Sequence, residues 1–351
     1  MQHKINSLSF SFISILFITV FSSFSISLLF SFDTTSEIIF SLFIGLVIGF
    51  FCLNIFFYFF YQEDDNIFCL ITSNFSKIIS FLWISIVLIL SFFIARFLFF
   101  EFSIFIKDNM SFELPLLFIS TLFLISSYFL VKEGINAIIV SGIIFFFCIL
   151  LFTFISFLLS VPNIQTENLY PIVWNNLSLS PIFFSFLLSF VPIFFLLVVG
   201  KEKVRNNNLY REYQKKAYIF TSIFLIFKIL FIIAILGIPY IKILEYPTVH
   251  ILKKISILNF IERVDEFFLL SSFLSIYFVF TFIIYYIKEG ICSIFRIRKE
   301  SVLLLGIYSI FFLCSFFLEK QSSFFLFFSF SFIFILHLFL FISLKLKKTF
   351  S

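Results

Sequence analysis

Charge is what this sequence has least of. Only 12% of its residues are Asp, Glu, Lys or Arg, while 62% are hydrophobic. A water-soluble domain carries about twice that charged fraction, so the balance excludes an ordinary soluble fold and makes hydrocarbon the solvent for most of the chain. Histidine is nearly absent too, and His3, His250 and His337 stand far apart. With no HExxH or GxSxG pattern, that scarcity speaks against a catalytic metal or a Ser-His site. The five cysteines, Cys52, Cys69, Cys148, Cys292 and Cys314, form neither a CxxC nor a Cys/His cluster, so no metal centre or disulfide framework is expected. Glycine numbers only 8, and no GxGxxG or Walker A loop occurs. The sequence therefore implies no enzyme, no cofactor and no nucleic-acid partner. Its net charge of +5 reports on loop orientation instead.

What is present is a succession of long apolar runs. Phe alone contributes 67 residues, more than any packing or chemical need explains, and individual Phe residues are read as lipid-facing or interhelical filler. Windows of about twenty apolar residues place about ten transmembrane helices, near 8–31, 38–61, 78–100, 114–131, 136–161, 181–200, 217–240, 267–288, 302–318 and 322–344. The first run, Phe10–Phe32, is read as a span, since it is too long for a signal-peptide core and lacks a small-x-small cleavage site. No connection is long enough for a soluble domain, so residues 1–351 are expected to form one all-α polytopic bundle. Most Lys and Arg fall in segments on the N-terminal side of the membrane, including the run Lys201–Lys216 and the C-terminal Lys345–Lys348. The positive-inside rule then places both termini in the cytoplasm.

Ionisable residues inside spans are costly unless they are paired or line a wet cavity, and two stand out. Arg96 lies near the outer end of the third span, within snorkelling reach of the interface. Lys228 is closer to mid-span, where it either lines a cavity or pairs with another helix. His337, in the last span, is read as a helix-packing contact. The segment before the eighth span reads as two short amphipathic helices. Pro247 can begin the first and Ser256 can cap the second, with Asn259, Glu262, Arg263 and Glu266 opposite Leu258, Ile261 and Val264. That pattern suits an interfacial loop or an extracellular gate-and-docking element.

Tyr246-Pro247, followed by Ile255-Ser256-Ile257 and Phe260-Ile261-Glu262-Arg263-Val264-Asp265, resembles the phrase that precedes the eighth helix of the spore germination permeases. These are the B-type subunits of germinant receptors, within the amino acid–polyamine–organocation superfamily. Asn168-Leu169-Tyr170-Pro171 is similar to their Asn-Leu-x-Pro element after the fifth helix, and Tyr128–Gly134, with Lys132 and Gly134, to their Lys-Gly turn after the fourth. The resemblance implies LeuT-type inverted five-helix repeats, with a small-molecule site near the bilayer midplane between the first, third, sixth and eighth helices. Relatives carry a Gly-rich break in the first helix, where this chain has Phe21-Ser22-Ser23-Phe24-Ser25. In the sixth they have a Gly and a carboxylate, where it has Ser189-Phe190-Val191-Pro192. Serines can satisfy freed backbone groups and a proline can break a helix. Ser22, Ser23, Ser25, Ser189 and Pro192, with Arg96 and Lys228, are therefore the implied ligand-binding set. Tyr246, Pro247, Glu262, Arg263 and Asp265 are the family-motif residues.

The implied function is sensing of an amino acid or similar nutrient in the spore inner membrane, relayed to a companion A-type subunit and a C-type lipoprotein. Two other readings are a secondary amino-acid transporter and a flippase of the polysaccharide-export type. The latter calls for clustered acids or arginines in outer loops, which the sequence does not show.

Overall fold

In hydrocarbon every backbone N–H and C=O must be satisfied within the chain, and an apolar run of this length does so as a helix. A computed structural model describes residues 5–32, 37–60, 66–109, 115–169, 179–200, 204–205, 207–244, 247–253, 264–295, 297, 299–316 and 323–350. Its helices are α1 (Ser7–Phe32), α2 (Glu37–Phe60), α3 (Ile67–Asn74), α4 (Lys77–Asn109), α5 (Leu116–Glu133), α6 (Ile135–Ser160) and α7 (Leu179–Phe190). They continue with α8 (Pro192–Phe195), α9 (Asn207–Leu236), α10 (Ile238–Ile241), α11 (Pro247–Lys253), α12 (Val264–Phe295), α13 (Glu300–Phe316) and α14 (Ser323–Phe350). A two-residue parallel bridge, β1 (Ile5–Asn6) with β2 (Val204–Arg205), ties the starts of α1 and α9 together. Among the described residues 8 spans are long and apolar enough to cross a membrane, and two shorter apolar helices, Ser7–Phe21 and Glu300–Cys314, accompany them.

Several helices run beyond their apolar cores. Helix α9 begins ahead of the expected span because its polar lead-in, rich in Arg, Glu, Gln and Lys, is made of good helix formers. Helices α4 and α12, of 33 and 32 residues, are likewise longer than the about 20 residues that a crossing needs. The connection after α2 contains α3, an eight-residue helix too short to cross a membrane, whose Asn66 cap accepts the Cys69 N–H at 2.7 Å. Helices α5 and α6 meet through Gly134 alone. Its φ of 92° and ψ of −176° lie in a region that side chains with a Cβ rarely enter.

The helices sort into two packed groups. Helices α1, α2, α7 and α9 pack on one another, as do α4, α5, α12 and α13; α6 touches α1 and α12, and α14 touches α4 and α7. In the first group, Gly45 and Gly49 let α2 approach α7 and α9 so closely that a Cβ on Gly49 would lie 2.1 Å from the Tyr218 hydroxyl. Tyr218 donates from that hydroxyl to the Leu46 carbonyl at 3.0 Å and sits 2.8 Å from Ser189 Oγ. In the second group, Ser127 Oγ lies 2.6 Å from the Tyr308 hydroxyl and 3.1 Å from Thr281 Oγ1, joining α5, α13 and α12. Lys288 closes the α12–α13 corner, with its Nζ 2.8 Å from Glu300 and 3.1 Å from Glu289. His337 is buried, donates from Nδ1 to the Ile333 carbonyl at 2.8 Å, and stacks on Phe194 at 4.4 Å, a packing contact between α14 and α8.

Candidate ligand-binding site

Among the described residues, the sixth span has an interrupted backbone. Pro192 has no N–H to give, so α7 stops at Phe190; Val191 donates back to Leu187, and the chain restarts as α8 and a short 3-10 turn over Leu196–Val198. This broken stretch is buried throughout, with 89% of its central window inside the protein. Helix α1, by contrast, stays helical through Ser22, Ser23 and Ser25. The opening implied for the first helix is therefore not seen at that point, and the three serine side chains lie outside the described residues. Ser189 lies outside the lining of the two cavities described below. It is committed to Tyr218 and to the Phe186 carbonyl, within the contact that Gly45 and Gly49 make possible.

Two cavities lie on the seam between the helix groups. The larger, of about 420 Å³, is bounded by Ile15, Leu16 and Thr19 of α1, a stretch of α6 from Phe146 to Phe157, Phe220, Phe224 and Lys228 of α9, and Ser271, Ser272 and Ser275 of α12. A smaller one, of about 90 Å³, continues along α6, α9 and α12 to Ser160, Ile232 and Leu269 and is closed by Thr248 and Ile251 of α11. Thr153, Lys228, Ser271 and Ser272 line both cavities and so stand at their junction. Lys228 thus lines both cavities.

The walls come from the first, fifth, seventh and eighth spans. Among the described side chains of the implied set, Lys228 reaches these cavities; Pro192 shapes the sixth span from within the core, and half-buried Arg96 lies on α4, outside the lining of both. Pro247 is buried at the start of α11, as its sequence position suggests, and Asp265 lies in the first turn of α12 with its side chain undescribed. Tyr246, Glu262 and Arg263, and the second amphipathic helix expected around Ser256, lie outside the described residues. The family-like Asn168 secures the C-terminal end of α9. Its amide donates to the Ala234 carbonyl at 3.1 Å, beside the Gln165 N–H on the same oxygen at 3.0 Å.

Sequence reasoning missed the hydroxyls. Ser271-Ser272-x-x-Ser275 is a polar cluster on one face of an apolar helix, and that spacing was a usable signal. Gly45-x-x-x-Gly49 was another, the small-residue pattern by which membrane helices approach closely.

Among the described residues no group of His, Cys, Asp and Glu is arranged to hold a metal ion. The cavity offers one ammonium, several hydroxyls and an aromatic wall, which suits binding a small molecule with a polar end and an apolar body.

Similarity to known structures places the fold. Over 95% of this chain and 75% of the other, the protein is similar to Mhp1, a nucleobase-cation-symport-1 family transporter in a closed conformation with bromovinylhydantoin bound, with a TM-score of 0.67 at 14% identity. It is also similar to a Na+-coupled sialic acid symporter in a substrate-bound outward-open state, over 92% of this chain and 76% of that one, with a TM-score of 0.63 at 11% identity. The bundle is therefore an all-α integral membrane fold of the LeuT type, two inverted five-helix repeats. A search of curated protein sequences finds no match. The profile of the spore germination protein family matches residues 38–325, from the second span to the start of the last, and the chain belongs to that family.

Proposed function

We propose that this protein is the membrane-embedded, ligand-sensing subunit of a spore germinant receptor, binding an amino acid or similar small nutrient without transforming it. The observation that carries the reading is the Lys228 cavity, set on the seam between the two helix groups of a spore germination permease. A molecule held there touches α1 and α9 of one group and α12 of the other, so occupancy biases how the groups sit against each other. The change is passed to A-type and C-type companion subunits in the spore inner membrane, with both termini cytoplasmic. The test is germination of a strain lacking the native gene and complemented with Thr153→Trp, which fills the cavity junction. Response to nutrient should fall at least tenfold while the protein level in spores holds; an unchanged response would remove the cavity from the sensing path.

A secondary amino-acid transporter is the second reading, favoured by the likeness to two symporters. It requires concentrative uptake by proteoliposomes under an ion gradient. The receptor reading expects binding without such uptake.

A further inference from the structure

Four helices meet around the smaller cavity: α6 at Ser160, α9 at Ile232, α12 at Leu269 and α11 at Thr248 and Ile251. Past Ser160 the chain leaves α6 as two short 3-10 turns, Val161–Asn163 and Thr166–Leu169, and the second of them turns back onto α9. What it grips is laid open by a break in α9. The backbone leaves helical geometry at Gly237, whose φ is 73°, and Pro239 has no N–H to offer, so the last carbonyls of α9 need donors from elsewhere. The Gly237 N–H returns to the Ile233 carbonyl at 2.8 Å. The Ala234 carbonyl is taken up by the loop, from the Gln165 N–H at 3.0 Å and the Asn168 amide at 3.1 Å. That amide also donates to Gln165 Oε1 at 3.4 Å, and the Asn168 N–H to the Gln165 carbonyl at 3.2 Å, so the two residues grip as a unit. Gly237 leaves room for them, since a Cβ there would lie 3.3 Å from Asn168 Oδ1.

Along the rest of this seam α6 and α9 meet through rings. Phe157 of α6 sits among Phe224, Phe227 and Phe231 of α9, with centroids 6.0, 5.3 and 4.9 Å away. Ring contacts of this kind have no fixed direction, and between helices in lipid no hydrophobic force presses them together, so the walls can slide. The tie on Ala234 is directional and stands two residues beyond Ile232 of the cavity wall. It is also open to competition from water, because Gln165 is exposed and Asn168 half-buried. We propose that Gln165 and Asn168 form a releasable latch on the cavity. While they hold the Ala234 carbonyl, α6 and α9 stay closed against α11, and letting go of it opens a water path to Ser160. That a nutrient enters this way rests on reading the Lys228 cavity as the ligand site; the latch itself does not.

Water access to position 160 is the readout. In the full chain with the five native cysteines replaced, held in lipid nanodiscs, Ser160→Cys is treated with 2-sulfonatoethyl methanethiosulfonate, an anion excluded from lipid. Its modification rate is compared with and without Asn168→Ala. One hydrogen bond between membrane helices corresponds to about three- to eighteenfold in an equilibrium, and the rate should rise within that range. Asn168→Asp, which keeps the size but has no N–H to donate, should raise it as well. A second reporter, Ser127→Cys, is buried where α5, α12 and α13 meet and should keep its parent rate in both backgrounds. An unchanged rate at position 160, or equal rises at 160 and 127, would overturn the latch. The germination assay with Thr153→Trp judges the sensing site separately: a response indifferent to that change, beside a faster rate at 160, would leave the latch standing and remove nutrient entry as its purpose.

Discussion

Tyr218 is buried, and its hydroxyl spans three helices, donating to the α2 backbone and meeting Ser189 of α7 from its own position on α9. Hydrogen bonds between membrane helices average about 0.6 kcal/mol and reach about 1.7, because the unfolded chain in lipid also finds partners. Tyr218→Phe should therefore lower the stability of the purified protein by about 1 kcal/mol, read as a shift of its unfolding midpoint in detergent. Gly49→Leu acts at the same place by steric force. The Cβ alone would collide with that hydroxyl and lies 3.0 Å from Ser189 Oγ, so the expected outcome is loss of folded protein from the membrane. If both variants accumulate and unfold like the parent, the contact does not hold the group together.

Lys228 is a residue that the sequence alone singles out, because an ammonium deep in an apolar span needs a reason to be there. Lys228→Leu should leave the protein in the membrane and cost at least tenfold in ligand response. The hydroxyls that accompany Lys228 were not readable in the same way. Taken singly, a serine in so apolar a chain is cheap filler, and Ser275 donates back to the Ser272 carbonyl just as Ser126 and Ser141 donate to their own helices, so only the spacing of Ser271, Ser272 and Ser275 sets them apart.

At the level of elements, hydropathy located the spans well because lipid demands long apolar helices. It located their ends poorly because nothing in lipid forbids a helix from continuing into water. Helix α9 shows the cause: its polar first turns propagate from the span behind them instead of forming a loop. Helix α3 escaped notice because its eight residues are too few for a spanning pattern, although Asn66 ahead of Ile67-Phe68 marks its start. The α5–α6 turn was legible from the Lys-Gly pair, and its geometry explains the glycine. A Cβ on Gly134 would meet nothing within 4 Å, so any penalty for Gly134→Ala comes from the backbone alone. That penalty should be about 1–3 kcal/mol, measured as a lowered unfolding midpoint with no change in ligand affinity. The segment that follows α11 poses a different question. If Glu262 and Arg263 dock against neighbouring chains, Glu262→Gln and Arg263→Gln should each reduce subunit level or germination response, whereas an exposed pair contributes under about 1 kcal/mol and both substitutions would be silent.

For the whole molecule, the fold class was implied by family-like phrases and an apolar pattern, while the partition into two packed groups was not, since it depends on which faces of near-uniform helices meet. With mean hydropathy of +1.18 and Phe on every side, a helix in this chain gives little sign of which face is inward. Orientation is an expectation from charge and has a direct check. In a background with the five cysteines replaced, a cysteine at position 166 should react with an impermeant thiol reagent in intact cells and one at position 207 should not. Reaction at 207 would invert the bundle.

Among the described residues, helix α6 is the least buried of the long spans, yet its Phe146, Ile149, Thr153 and Phe157 form a wall of the cavity. Ligand and surroundings are thus separated by the thickness of one helix, about 10 Å. Leu150 and Phe154 carry the cavity rim onto the outer face itself, where both are exposed. News of an occupied site need not climb through loops to the aqueous ends of the protein. It can leave sideways, in the plane of the bilayer, as a change in the outline that α6 presents to whatever lies beside it.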